Sequence, residues 1–131
     1  MAATLTICDE TISGERRHEF DLDFPSAVIT VRELIRKRVY EEVREYNLRE
    51  PEYFRGLVQP GEAEQTLNGY KLRHKRKIDW EKQVEQALQA FQRNGFFILV
   101  DDRQVEELDE EIEIKLKTRV SFVKLVPLVG G

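Results

Sequence analysis

The sequence predicts an α+β fold in which helices cover one face of a sheet, with the element order strand, strand, helix, insertion with a second helix, strand, short strand, strand. Three observations carry the prediction. Two alternating segments near the N-terminus read as an antiparallel hairpin, a helical stripe follows them, and apolar runs at 96–100 and 120–126 supply later strands.

From Thr4 to Cys8, Leu5 and Ile7 alternate with Thr4, Thr6 and Cys8, the period of a half-buried strand. Ser13-Gly14 marks a turn, after which Phe20, Leu22 and Phe24 alternate with Glu19, Asp21 and Asp23. Pro25 ends that strand. Thr30 and Glu33 form a candidate capping box ahead of Val31, Leu34, Ile35, Val39, Val43 and Tyr46, so an amphipathic helix is expected to about Asn47. Leu48 to Lys77 contains Pro51, Gly56, Pro60, Gly61 and Asn68-Gly69, with Tyr53, Phe54, Leu57, Val58 and Leu67 at no clear period. This segment reads as irregular, with its aromatics packed against the body. Asp79 caps a second helix carrying Trp80, Val84, Ala87, Leu88 and Phe91 on one face, and Asn94-Gly95 closes it as a left-handed C-cap. Phe96-Phe97-Ile98-Leu99-Val100 is a short apolar strand before the turn Asp101-Asp102-Arg103, and Gln104-Val105 is a further short strand. An acidic segment from Glu106 to Glu113 precedes the last strand, Val120 to Val126, which leads to Pro127-Leu128-Val129-Gly130-Gly131.

The 131 residues suit one domain with a single core, and 40% apolar with 35% charged content suits a globular, well-solvated chain. A formal net charge of -4 gives no global attraction to nucleic acid or anionic lipid. Cys8 is the only cysteine, which excludes an intrachain disulfide and a cysteine-based zinc site and points to the cytoplasm. No leader pattern and no apolar run of about 20 residues occurs, so neither secretion nor membrane insertion is expected.

The strand order with a C-terminal Gly-Gly resembles the β-grasp superfamily: ubiquitin, its modifier relatives, and the sulfur carriers of thiamine and molybdopterin synthesis. The resemblance covers roughly Thr4 to Asn47 and Phe96 to Gly131. Thr30-Val31-Arg32-Glu33-Leu34-Ile35 is similar to the helix entry of sulfur carriers, as is Val120-Ser121-Phe122 followed by Pro127-Leu128-Val129-Gly130-Gly131. The run from Phe97 to Leu108, with Ile112 after it, resembles ubiquitin's strand, turn and short strand. The family implies a single ubiquitin-like domain over 1–131, built on a mixed sheet with a crossover helix. The segment at about 48–95 departs from the family as an insertion.

The resemblance also implies a chemistry. The C-terminal carboxylate of Gly131 is the reacting group; a partner activating enzyme uses ATP to make its acyl-adenylate, which a thiolate or sulfur donor attacks. The chain is then a substrate, with no catalytic residue and no bound cofactor. Such attack needs open approach to about 3–3.5 Å, which a Cβ beside the carbonyl would obstruct and Gly131 does not. Gly130 lets a partner's backbone come close, and Pro127, Leu128, Val129 and Gly130 are the expected tail-recognition residues. Standing alone, two terminal glycines read as a frayed end; the strand order before them changes the reading.

Three functions follow as expectations. The leading one is a ubiquitin-like modifier, with activating and conjugating enzymes and a deconjugating protease as partners, thioester transfer, and an isopeptide bond to an amine of a target protein. The second is a sulfur carrier bearing a thiocarboxylate at Gly131. The third is a non-covalent binding module. In the run Phe96, Phe97, Ile98, Leu99, Val100 alternate residues face opposite sides, so either Phe97 and Leu99 or the other three offer a partner patch, unless the insertion covers it. Cys8 reads as a buried thiol without a paired base. His18 and His74 are isolated, so no metal site is expected. Lys71, Arg73, His74, Lys75, Arg76 and Lys77 read as a solvated basic face balanced by acids between Asp101 and Glu111; neither membrane nor nucleic acid is an expected partner.

Overall fold

The computed structural model describes residues 2–66, 68–73 and 76–124, except for the side chain of Arg17. Its elements are β1 (Ala3–Thr11), β2 (Arg16–Phe24), β3 (Val28–Thr30), α1 (Val31–Arg49), β4 (Ala63–Thr66), β5 (Gly69–Leu72), α2 (Trp80–Gln92), β6 (Phe96–Val100), β7 (Arg103–Val105), β8 (Glu111–Glu113) and β9 (Arg119–Lys124). The fold is α+β and β-grasp-like: a mixed five-stranded sheet of order β2-β1-β9-β6-β7, with β1 and β9 parallel and α1 following the N-terminal hairpin. Among the described residues no helix is long and apolar enough to cross a membrane. The chain divides into two compact units with boundaries inside α1 and α2, one formed by its two end segments and the other by Ile35–Gln89.

In the first unit, Leu5 opposes Leu22 and Ile7 opposes Phe20 across the β1-β2 hairpin. Its turn uses Gly14 at φ +87°, a conformation that costs other residues dearly, and the Gly14 N–H donates to the Thr11 carbonyl at 2.9 Å. At the β6-β7 turn Asp101 and Asp102 both have positive φ, 49° and 68°, as a two-residue turn matched to strand twist requires. β9 lies between β1 and β6, so Phe122 has Asp9 on one side and Ile98 on the other. Ile7, Ile98, Val120 and Phe122 are fully buried, each worth about 1.5–3 kcal/mol relative to exposure.

The first turn of α1 has its backbone donors satisfied from two sources. Thr30 Oγ1 accepts the Glu33 N–H at 3.1 Å, the predicted cap, while Glu110 and Leu108 carbonyls accept the Val31 and Arg32 N–H groups. The loop reaching those carbonyls is held by a short ribbon, β3 with β8, whose facing Ile29 and Ile112 are both buried. At the end of α2, Gly95 N–H bonds to Ala90 O at 2.7 Å and Asn94 N–H to Phe91 O at 3.1 Å, the paired bonds of a Schellman cap. The left-handed residue is Asn94, at φ 61°, and not Gly95.

In the second unit the stripe Ile35, Val39, Val43 and Tyr46 is buried as its spacing predicts. The segment expected to be irregular contains a hairpin, β4 with β5, whose pairing closes with Thr66 opposite Gly69. Gly69 is required there: at φ +128°, an added Cβ would lie 2.9 Å from the Phe54 carbonyl oxygen. Phe54 itself is buried, exchanges backbone hydrogen bonds with Tyr70, and meets Tyr46 edge-on at 5.5 Å, so the insertion's aromatics do pack. Side chains of α1 fasten this segment. Asn47 donates to the Ile78 carbonyl and accepts the Ile78 N–H, while Glu42 takes the Leu57 N–H through Oε2 and Arg38 Nε through Oε1.

Candidate functional site

The predicted reacting and tail-recognition residues, Gly131, Gly130, Val129, Leu128 and Pro127, lie outside the described residues. What the fold places is the strand before them. β9 is the central strand, and its last residue, Lys124, is registered with Thr11 of β1 and with Phe96 of β6. Six residues of parallel pairing on one side and five of antiparallel pairing on the other hold that root.

The alternation left open by sequence at β6 is resolved. Phe96, Ile98 and Val100 are core residues, 3%, 0% and 8% exposed, whereas Phe97 and Leu99 are half-buried on the opposite face. Strand register puts Val123 across from Phe97 and Ser121 across from Leu99. The accessible apolar patch is therefore Phe97, Leu99 and Val123. Val123 went unrecognised because its role depends on pairing register; its alternation with Val120 and Phe122 is the signal that could have found it.

Further along the same face the chemistry changes to polar and then acidic. Ser121 donates to Glu10 at 3.0 Å, Thr6 Oγ1 to Asp21 Oδ1 at 2.9 Å, and Thr4 Oγ1 to Asp23 Oδ1 at 2.6 Å. Arg119 lies 3.7 Å from Glu19 and Arg16 3.5 Å from Glu10. A depression here is lined by Thr6, Cys8, Arg16, Asp101, Arg119 and Ser121, of which Cys8 is buried. Burial pushes the Cys8 thiol above its ordinary range, Glu10, Asp9 and Glu19 add to the shift, and Arg16 opposes it. The thiol donates to the Asp9 carbonyl at 3.5 Å. A protonated, buried sulfur is a poor nucleophile, and the depression offers complementarity to polar groups rather than covalent chemistry.

His18 is exposed and stacks at 5.0 Å on Phe20; His74 and Lys75 lie outside the described residues. Among the described residues no three His, Cys, Asp or Glu side chains are grouped to hold a metal ion. Lys71, Arg73, Arg76 and Lys77 are exposed, with Lys71 3.8 Å from Glu52 and the Arg76 guanidinium donating to the Gly61 carbonyl. Within the acidic segment, Glu110 lies 2.8 Å from Arg103 and Asp109 lies 3.5 Å from Arg32.

No protein-family model matches this chain, and comparisons with curated proteins and with solved structures likewise give no match. The fold is that of an α+β protein with a β-grasp-like mixed sheet.

Proposed function

We propose that this protein is a ubiquitin-like modifier, activated at Gly131 and joined through it to amines of target proteins. The observation that supports the reading is the sheet order β2-β1-β9-β6-β7 with β1 and β9 parallel, in which the strand that precedes Gly130-Gly131 is central and paired on both sides. From Lys124 the seven following residues can reach at most about 25 Å when extended, enough for the terminal carboxylate to enter a partner's active site while the sheet remains folded. In the first step the carboxylate oxygen attacks the α-phosphate of ATP, forming an acyl-adenylate and releasing pyrophosphate. A partner cysteine thiolate then displaces AMP to give a thioester, and a target lysine amine displaces that thiolate to give the isopeptide. Phe97, Leu99 and Val123, on the accessible face of the strand pair holding the tail root, are the surface for the activating and conjugating enzymes.

The sulfur-carrier reading shares the adenylate and diverges after it, with a sulfur donor leaving a thiocarboxylate on Gly131. Val120 and Phe122, two residues carrying that resemblance, are fully buried, so they support the fold common to both readings rather than the carrier function. Mass spectrometry of the tagged protein recovered from its native cells separates the two. Branched peptides bearing the Gly130-Gly131 remnant on lysine are expected. A terminal thiocarboxylate without conjugates would refute the modifier reading, and full function after deletion of Gly130 and Gly131 would refute both in favour of a non-covalent module.

A further inference from the structure

β2 is an edge strand: β1 pairs with one side of it, and among the described residues no strand pairs with the other. Across its nine residues about half of the backbone N–H and C=O groups face that open side, a template for one more strand. The two rows of side chains along the edge differ in character. One row holds Phe20, Leu22 and Phe24, with Leu22 and Phe24 buried at 5% and 4% exposure. The other holds Glu19, Asp21 and Asp23, all exposed. Asp21 and Asp23 accept hydrogen bonds from neutral threonine hydroxyls, and among the described residues neither is in an ion pair.

A second copy of the chain is a poor occupant of this edge. The antiparallel register that uses all nine residues is centred on Phe20 and sets Glu19 against Asp21 on both sides of the centre, like charges directly opposed. A strand bringing cations to Asp21 and Asp23, and apolar residues to the Phe20, Leu22 and Phe24 side, satisfies both rows at once. Because side chains alternate along a strand, that means Lys or Arg at every second residue with apolar residues between. We infer that the free edge of β2 is a strand-addition site for an extended basic segment of a partner protein, alternating in this way. The inference stands apart from the chemistry of the tail.

The test is a nuclear magnetic resonance titration of the isotope-labelled full chain with a short peptide alternating Lys and Val, and with a peptide of the same composition arranged in blocks. Shift changes and slowed amide exchange are expected along Arg16–Phe24 with the alternating peptide alone. The double variant Asp21→Lys/Asp23→Lys is expected to weaken that peptide on the order of tenfold and to accept one alternating Glu and Val instead. If its circular dichroism shows loss of fold, Asp21→Asn/Asp23→Asn must show the same loss of affinity in milder form. Equal binding of the block peptide would reduce the effect to charge attraction and overturn the inference. So would shifts centred on Phe97, Leu99 and Val123, no binding at all, or a dimer of the free protein with the β2 edge protected.

Discussion

Replacing Glu42 by alanine removes a partner of a side chain almost wholly withdrawn from water. Arg38 is 1% exposed, and its Nε lies 2.6 Å from Oε1 of Glu42, itself 16% exposed. The same carboxylate accepts the Leu57 N–H at 2.9 Å. The alanine variant leaves a buried guanidinium without this counter-charge and a part-buried N–H without its acceptor. Breaking one side of a buried ion pair costs about 3–5 kcal/mol, and an unmet buried donor about 1–3 kcal/mol. One carboxylate serves both, and water can enter where Glu42 stood, so the losses overlap; a total of about 3 kcal/mol is expected. With a urea dependence of about 2 kcal/mol per molar, the unfolding midpoint falls by about 1.5 M, read by circular dichroism. Glu42→Gln, which keeps one acceptor, loses less. The pair Arg38→Met/Glu42→Leu removes both charges and is expected to be more stable than Glu42→Ala. A cost below about 1 kcal/mol for Glu42→Ala, the range of exposed pairs, would refute the reasoning by showing that this carboxylate is not what compensates the buried guanidinium.

Other consequences concern titration, a cap and a close contact. Burial raises the pKa of Cys8, Tyr46 and Tyr70, with Glu50 adding to the shift at Tyr46 against Arg76 and Glu42 adding at Tyr70. The folded chain keeps these protons longer than the unfolded one, so their contribution is whole below pH 9.0 and is lost as pH rises through the ordinary values of 9.0 and 10.0 toward the raised ones. Urea midpoints that increase across that window would contradict this. Cys8 is 6% exposed and held as a thiol, so a thiol reagent at neutral pH should label it only as fast as the chain opens; immediate labelling of the folded protein would sink the assignment. Asn94→Ala, at φ 61°, should lower stability by about 1 kcal/mol in a urea melt while Asn94→Gly should not; equal effects would show that the left-handed cap is unimportant. Gly56→Ala would put a Cβ 2.2 Å from two ring atoms of buried Phe54 and should cost about 1–3 kcal/mol, and an unchanged melting temperature would count against that contact.

The elements read correctly from sequence were those whose own residues declare a period. Leu5 and Ile7, the stripe from Val31 to Tyr46, and the stop at Asn94-Gly95 needed no distant partner to be recognised. β3 and β8 are three residues each, too short to show alternation, and exist because Ile29 and Ile112 find each other across the chain. β4 and β5 were missed because Glu64 and Gln65 are both exposed, which breaks the expected alternation; Asn68-Gly69, a strong hairpin signal, was present in the segment. Arg38 and Glu42 continue the helical stripe four and eight positions after Leu34, yet a charge at such a position reads as surface until its partner is seen. At the candidate site, β6 is apolar on both faces, so composition could not say whether Phe97 and Leu99 or their neighbours were buried. Register with β9 decides it.

The parallel pairing of β1 with β9 joins the two ends of the chain, as the hydrogen bond between Ser121 and Glu10 across 111 residues of sequence illustrates. During synthesis at about 5–20 residues per second, β1 and β6 each wait with one edge unfilled until the central strand arrives. A chain cut short before Arg119 has no middle to its sheet and leaves those edges open to aggregation or proteolysis. A molecule that has built its sheet has therefore also made β9, the strand that precedes the residues proposed to react.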